Sequence, residues 1–184
     1  MIKHKNKHPV ILDADFYYNM LSKDDQEHAQ RVTNLSLKIA LALGLGGELY
    51  YLKRAAKYHD LGKLKITSDI LNKSGPLTEA ERKEMMIHAK YSGEMLCEVK
   101  EDLRVIEIAM LHHENYDGSG YPFRLKGNEI ALESRIIRVA DVYDALRSER
   151  SYKKEFPVDV CKKIMIKEKN HFDPVILKAL LNIE

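Results

Sequence analysis

Apolar residues recur at helical spacing along most of the chain, whereas runs of strictly alternating polar and apolar residues are essentially missing. One stripe, formed by Val32, Leu35 and Ile39, follows a Ser22–Asp25 pair that fits a helix capping box, and it ends near Gly44. Such spacing turns one face of each helix toward a shared interior. We therefore predict an all-α fold, a bundle of about six to eight helices.

The remaining helices follow from capping residues and helix-ending glycines and prolines. They are predicted at about residues 48–61, in a short turn within ITSDILNK, at 78–99 after a second capping box, at 102–113, at 134–147, after Pro157, and after Asp173. A glycine- and proline-rich loop separates the helix ending near residue 113 from residue 130. Residues 1–21 are interpreted as an N-terminal lead-in and residues 22–184 as one domain, because 184 residues suit a single core.

Composition narrows the class of protein without naming a function. The content of 45% hydrophobic and 32% charged residues is ordinary for a globular protein, and two distant cysteines predict a reduced, cytoplasmic chain. No run of about 18 apolar residues predicts a membrane span. The net charge of +2 says little about partners. We expect no DNA or RNA polymer as a partner and expect anions to be bound by locally placed Lys and Arg side chains.

Polar groups nevertheless lie on the apolar faces of these predicted helices. Five of the eight histidines share a face with apolar residues: His28, His59, His88, His112 and His113. The carboxylate of Asp141 is aimed inward in the same way, and Asp60 beside His59 is a further candidate. A single inward histidine is more often a hydrogen-bonded core residue than a metal ligand. Five of them with two carboxylates favour a metal centre, because an unpaired buried polar group costs about 2–7 kcal/mol.

The number and chemistry of these donors suggest how many metals are bound and which. Seven candidates are too many for one open site, since a catalytic zinc takes about three protein ligands. Two divalent metals bridged by a carboxylate fit better, and nitrogen and oxygen donors without thiolate favour iron, manganese or zinc. Two-metal sites of this kind typically clamp a phosphoryl group and supply a bridging hydroxide as nucleophile.

Ordered sequence blocks then point to a known family. HDLGK (residues 59–63) resembles the HD superfamily of metal-dependent phosphohydrolases, and HHENYDGSGYP (112–122) resembles its HD-GYP subgroup, the cyclic di-GMP phosphodiesterases. The segments EHAQRV, IHAKYSGEML and RIIRVADVYDALRSERSYK are similar to other blocks of that family. The resemblance covers about residues 22–180. It implies an HD-type helical bundle with a loop that carries the GYP motif.

The resemblance also implies a role for each site residue. The metal ligands would be His28, His59, Asp60, His88, His112, His113 and Asp141. Asp60 would bridge two metals, and Asp24, where three-metal members have a glutamate, would be a third-metal ligand or a first-turn acid favoured by the helix dipole. Catalysis would rest on Asp60 and Lys63. Substrate would be held by Lys63, Gly120, Tyr121, Pro122, Arg150 and Lys153, although Arg150 and Lys153 taken alone read as a solvated helix end.

The function that the resemblance implies is hydrolysis of cyclic di-GMP to pGpG, and on to GMP if a third metal binds. Two alternatives stay open: a phosphohydrolase for another cyclic dinucleotide, and a non-catalytic nucleotide-binding or interaction module. A sensor or diguanylate cyclase partner and a homodimer stay open as well.

Overall fold

A computed structural model describes residues 12–47, 49–148 and 155–184, and within these ranges the chain is all-α. Its helices are α1 (Ala14–Tyr18), α2 (Lys23–Ala42), α3 (Leu49–Tyr58), α4 (Ser68–Leu71), α5 (Glu79–Met86), α6 (His88–Glu98), α7 (Leu103–Met110), α8 (Leu132–Arg147), α9 (Val158–Lys167) and α10 (Pro174–Ile183). Short 3₁₀ turns occupy Leu61–Lys65, Gly127–Glu129 and Lys169–His171. The predicted all-α bundle is confirmed.

The central helix of the bundle, α2, forms where the sequence predicts it. Ser22 is its N-cap and accepts a hydrogen bond from the backbone N–H of Asp25, and Gly44 follows its end with a φ of 76°. The predicted stripe of Val32, Leu35 and Ile39 is buried. Helix α2 packs against α3, α8 and α10, so its polar inner-face residues lie at the middle of the molecule.

The predicted helix over 78–99 is wrong in one respect, because the structure divides it into α5 and α6. The capping box of Thr78 and Glu81 starts α5 as expected. The break falls at Ile87, whose N–H donates to the carbonyl of Glu84. Directly after the break, the imidazole of His88 donates to the carbonyl of Met85 at 2.6 Å, in place of a continuing helical hydrogen bond.

Two other helices end earlier than their apolar spacing predicts. Helix α3 ends at Tyr58 rather than near residue 61, and α7 ends at Met110 rather than near residue 113. The next histidine in each case, His59 or His112, therefore lies in the turn beyond the helix. Two of the predicted metal ligands therefore lie in turns and not within helices.

The part of the predicted lead-in that the structure describes lies against the domain. Ala14 of α1 and Leu21 are buried in the main hydrophobic core. The carboxylate of Asp15 accepts a hydrogen bond from the hydroxyl of Tyr58 at 2.9 Å and also pairs with Lys57. These contacts join α1 to α3.

Across the described ranges, no helix combines the length and the apolar character that crossing a membrane requires. The longest, α2, has 20 residues and carries charged side chains along its exposed face.

Candidate metal centre

Seven side chains predicted as ligands meet at one place between α2, α3, α6, α7 and α8. Two groups of donor atoms form there, each within 4.8 Å: one is His28, His59 and Asp60, and the other is Asp60, His88, His112 and His113. Asp60 belongs to both groups. Its Oδ2 lies 3.3 Å from Nε2 of His59, and its Oδ1 lies 3.2 Å from Nε2 of His88. One carboxylate thus faces a different set of imidazoles with each oxygen.

The helix ends orient three of the imidazoles. The last carbonyls of a helix have no partner within that helix, and a histidine just beyond them can donate its ring N–H to one. The pairs are His59 with Ala56, His88 with Met85 and His112 with Ala109, at 2.8, 2.6 and 2.6 Å. Because a carbonyl only accepts, Nδ1 carries the proton in each ring, and the lone pair of Nε2 faces the centre.

The other side of the centre is formed by α2 and α8. His28 points its Nε2 at Oδ1 of Asp141, 3.2 Å away, and at Oδ2 of Asp60, 3.6 Å away. The other oxygen of Asp141 lies 3.9 Å from Nδ1 of His113. Asp141 therefore stands beside both donor groups, next to His28 of one and His113 of the other.

Four of the groups, His112, His113, Asp60 and Asp141, have pKa shifts that suit a bound cation. Burial and the nearby imidazoles lower the pKa values of His112 and His113, so both rings are neutral donors. Burial alone would raise the pKa of Asp60, but His59 and Lys63 outweigh it and hold the pKa far below its usual range. Burial likewise opposes ionisation of Asp141, and the contact with His28 outweighs it and lowers the pKa.

Two buried ring nitrogens of the centre have no hydrogen-bond partner in the described part of the protein. They are Nε2 of His59 and Nε2 of His112. Burying such atoms without a partner is unfavourable, and a divalent cation removes that penalty by taking their lone pairs. Neutral imidazoles with ionised carboxylates are the donors that zinc, iron and manganese accept. The cluster is able to hold metal ions.

A lysine lies beside the centre and pairs with two carboxylates. Nζ of Lys63 lies 2.7 Å from Oδ2 of Asp60 and 2.9 Å from Oδ1 of Asp25. Burial would lower the pKa of Lys63, but these two carboxylates outweigh it and raise the pKa, which keeps the ammonium charged. Asp24, the candidate for a third metal, lies exposed in the first turn of α2, outside both donor groups.

The glycine-rich loop brings an aromatic ring to the centre. The ring of Tyr121 lies 4.7 Å from that of His113, centroid to centroid, and is tilted from it by 31°. The N–H of Tyr121 donates to the carbonyl of His113 at 3.2 Å. Gly120 permits this approach, because a Cβ there would lie 2.2 Å from the backbone nitrogen of Asn115. Pro122 follows, partly buried.

A buried carboxylate accepts hydrogen bonds from the backbone of the same loop. Glu114 is only 1% exposed, and its side chain accepts hydrogen bonds from three consecutive backbone N–H groups. Its Oε1 accepts from Phe123 and Arg124 at 2.6 and 3.1 Å, and its Oε2 accepts from Leu125 at 3.1 Å. Three hydrogen bonds from consecutive backbone groups to one carboxylate hold the end of the GYP segment in a single position.

The two remaining predicted substrate contacts, Arg150 and Lys153, lie outside the described residues. Three residues near the centre were not predicted from the sequence: Asp25, Arg138 and Asp144. Arg138 donates to Asn115 at 2.9 Å and approaches Nδ1 of His113 at 3.4 Å. The sequence does contain a signal for Asp144: it lies three residues after Asp141, so both carboxylates are expected on the same face of the helix.

Comparison with known proteins shows the family to which the chain belongs. A family model described as HD domain matches residues 17–176. The chain belongs to the HD domain family. The resemblance to its HD-GYP branch is also confirmed, because curated relatives are named cyclic di-GMP phosphodiesterases and a structural neighbour is named an HDG"Y"P protein.

Two curated relatives and one solved structure illustrate the similarity. The 3'3'-cGAMP-specific phosphodiesterase 2 of Vibrio cholerae is 38% identical over 164 residues, which is 87% of this chain and 31% of that protein. The cyclic di-GMP phosphodiesterase response regulator RpfG of Xanthomonas campestris is 40% identical over 158 residues, 83% of this chain and 41% of that protein. An HDG"Y"P protein of Bdellovibrio bacteriovorus shares the fold, with a TM-score of 0.73 and 19% identity over 92% of this chain and 60% of its own. The chain thus spans about a third to two fifths of the length of these two curated relatives.

Proposed function

We propose that this HD domain is a phosphodiesterase that hydrolyses cyclic di-GMP to pGpG. The observation that carries the proposal is the position of Asp60, whose two oxygens face separate imidazole groups beside the ammonium of Lys63. Two divalent cations, iron or manganese first and zinc as the alternative, would be held by the two donor groups, with Asp60 between them and Asp141 alongside. When bound, such cations supply Lewis-acid stabilisation of a phosphoryl oxygen and lower the pKa of water.

The residues of the chain have distinct tasks in this proposal. The imidazoles of His59, His88 and His112 are preoriented by backbone carbonyls, so little reorganisation is needed to form the site. The charged ammonium of Lys63 lies where it would contact a non-bridging phosphate oxygen and stabilise the negative charge that develops during the reaction. Its pairing with Asp25 keeps the ammonium in place without a phosphate.

The base of the substrate would be recognised by the loop. Tyr121 stands beside His113 with its ring partly exposed, which offers a flat apolar surface for a purine. Stacking of one base on an aromatic ring contributes about 1–3 kcal/mol. Gly120 and Pro122 would form the backbone around that surface, and Arg150 and Lys153 are proposed as further phosphate contacts.

A second substrate is favoured by one specific comparison. A curated relative that matches 87% of the chain at 38% identity is named for specificity toward 3'3'-cGAMP. This cyclic dinucleotide has one guanine base in common with cyclic di-GMP, and the same cyclic backbone of two riboses joined by two phosphodiesters. The proposed chemistry of Asp60 and Lys63 would apply to it unchanged, so the two substrates would be distinguished by contacts with the second base.

The decisive experiment measures metal and product together. The domain would be purified anaerobically, loaded with Fe²⁺ or Mn²⁺, and given cyclic di-GMP, 3'3'-cGAMP or cyclic di-AMP, with products separated by chromatography. His59→Ala and Asp60→Ala should lose turnover and metal together. His171→Ala is the matched control, because His171 is a half-exposed histidine outside both donor groups. Nucleotide binding without hydrolysis under either metal would instead favour a binding module.

Asp24 decides between pGpG and GMP in this proposal. If Asp24 holds a third cation, Asp24→Asn should lower the bound metal by about one equivalent and stop degradation at pGpG. If Asp24 is only a first-turn acid, the variant should keep both the metal content and the product pattern of the parent domain.

A further inference from the structure

His28 is oriented differently from the other imidazoles of the centre. It lies in the interior of α2, which begins at Lys23 and ends at Ala42, so the carbonyls around it are used within the helix. His59 and His112 instead follow helix ends and donate to unpaired carbonyls. A mid-helix histidine needs a side-chain acceptor from another element to fix its ring.

Asp144 of α8 provides that acceptor. Its Oδ2 lies 2.7 Å from Nδ1 of His28, which donates to it, on the ring edge opposite the Nε2 that faces Asp141 and Asp60. Asp144 is 7% exposed and lies three residues after Asp141. One face of α8 therefore presents a carboxylate to each nitrogen of the same imidazole.

The carboxylate of Asp144 is itself held in place. Arg31, one turn after His28 on α2, donates from Nε to Oδ1 at 2.8 Å and from Nη2 to Oδ2 at 3.1 Å. The hydroxyl of Ser148 donates to Oδ2 at 3.1 Å and accepts from Arg31 at 3.0 Å. A two-pronged arginine contact fixes the plane of a carboxylate as well as its position. The plane of the His28 ring is determined in turn.

We propose that Asp144 is a positioning residue for His28, and that it controls one of the two cations selectively. This inference rests on the proposed two-metal centre. A carboxylate behind a ligating imidazole orients the ring and raises its basicity, and its loss typically lowers metal affinity by about 10–100-fold. The group of His28, His59 and Asp60 depends on Asp144. The group of His88, His112 and His113 is oriented by other contacts.

The test is a titration of the metal-free domain with Mn²⁺ alone. Calorimetry measures the affinity of each equivalent, and elemental analysis measures the metal content. The parent domain should bind two equivalents. In Asp144→Asn, one equivalent should weaken by about 10–100-fold while the other keeps its affinity. His28→Ala should weaken the same equivalent, and Asp144→Glu should recover part of the affinity. Equal weakening of both equivalents, or of neither, would overturn the proposal.

A matched control separates positioning from general stability. Glu101 also has a carboxylate with little exposure, 8% for its side chain, that pairs with an arginine, Arg54, and it has no hydrogen bond or ion pair to the ligand candidates among the described residues. Glu101→Gln should lower the melting temperature without changing either Mn²⁺ affinity. If Asp144→Asn does not fold, Arg31→Met, which releases the carboxylate but leaves it present, should weaken the same single equivalent to a smaller extent.

The outcomes also separate this inference from the proposed function. A parent domain that binds fewer than two equivalents contradicts both. A parent that binds two equivalents and hydrolyses cyclic di-GMP, with an Asp144→Asn variant that binds both as tightly, contradicts only the role of Asp144. Selective loss of one equivalent in a domain that hydrolyses no cyclic dinucleotide supports Asp144 and contradicts the proposed function.

Discussion

Nζ of Lys63 lies 2.9 Å from Oδ1 of Asp25, a residue three positions before His28 on the same helix. The second carboxylate that holds this lysine is Asp60, so its ammonium lies between a proposed metal ligand and a residue of α2. The contact connects the HDLGK turn to the first turn of α2. It also explains why a largely buried lysine can remain charged beside the histidine cluster: two carboxylates offset the cost of its burial.

Removing the charge of Asp25 should therefore slow the reaction without emptying the centre. In Asp25→Asn, Lys63 loses one of two charge-assisted contacts and samples other positions. A partly exposed contact of this type contributes about 1–2 kcal/mol, which corresponds to a fall in kcat of roughly 5–30-fold. Metal content should stay at the parent level. Steady-state kinetics with elemental analysis measure both quantities.

The control for this variant lies on the same helix. Glu27 is exposed and pairs only with Lys23 among the described residues, at 3.7 Å. Glu27→Gln changes the net charge by the same amount and should alter kcat by less than about twofold, since an exposed ion pair contributes little. If both variants slowed the reaction equally, a general charge effect would replace the specific role of Asp25.

Much of this centre could be predicted from the sequence because the signals are local. Ser22 and Thr78 start their helices as capping residues, and this depends only on a few neighbouring residues. The inward spacing of His28 and Asp141 on long helices likewise selects buried ligand candidates. The blocks that resemble the HD-GYP family add the same residues independently.

The contacts that support the ligands could not be predicted in this way. Asp144 meets His28 across 116 positions of chain, and Asp25 meets Lys63 across 38, so both depend on how the helices pack. The break at Ile87 was missed because apolar spacing continues through it, while the hydrogen bond of His88 to Met85 takes the place of the helical one. Tertiary contacts override local helix preference at such points.

The turn after Asp60 packs so closely on α6 that a methyl group should not fit. A Cβ at Gly62 would lie 1.9 Å from the carbonyl oxygen of His88 and 2.6 Å from the nitrogen of Ser92, both backbone atoms. Gly62→Ala should therefore destabilise the fold by about 3 kcal/mol and lower Tm by about 6–12 °C. Gly46→Ala, where a Cβ meets nothing within 4 Å, should change Tm only slightly. A parent-like Tm for Gly62→Ala would contradict this packing.

Glu114 should control substrate affinity through the loop rather than through the metals. In Glu114→Gln, one acceptor oxygen becomes an N–H donor, so at least one of the three backbone N–H groups at 123–125 loses its acceptor. The expected loss of stability is about 1–3 kcal/mol. KM for the cyclic dinucleotide should rise more than kcat falls, and metal content should be retained. Glu129→Gln weakens an exposed contact in the same loop, to the N–H of Lys126, because the amide oxygen can still accept it, and should have the smaller effect.

Tyr121 should decide how well the guanine base is held. If its ring stacks on the base, Tyr121→Ala removes about 1–3 kcal/mol and raises KM by roughly 5–150-fold, with metal content unchanged because Tyr121 lies outside both donor groups. Tyr121→Phe keeps the aromatic face and should recover most of the affinity. The measurement is KM for cyclic di-GMP and 3'3'-cGAMP in all three proteins. Equal KM values for Tyr121→Ala and the parent would place base recognition elsewhere in the domain.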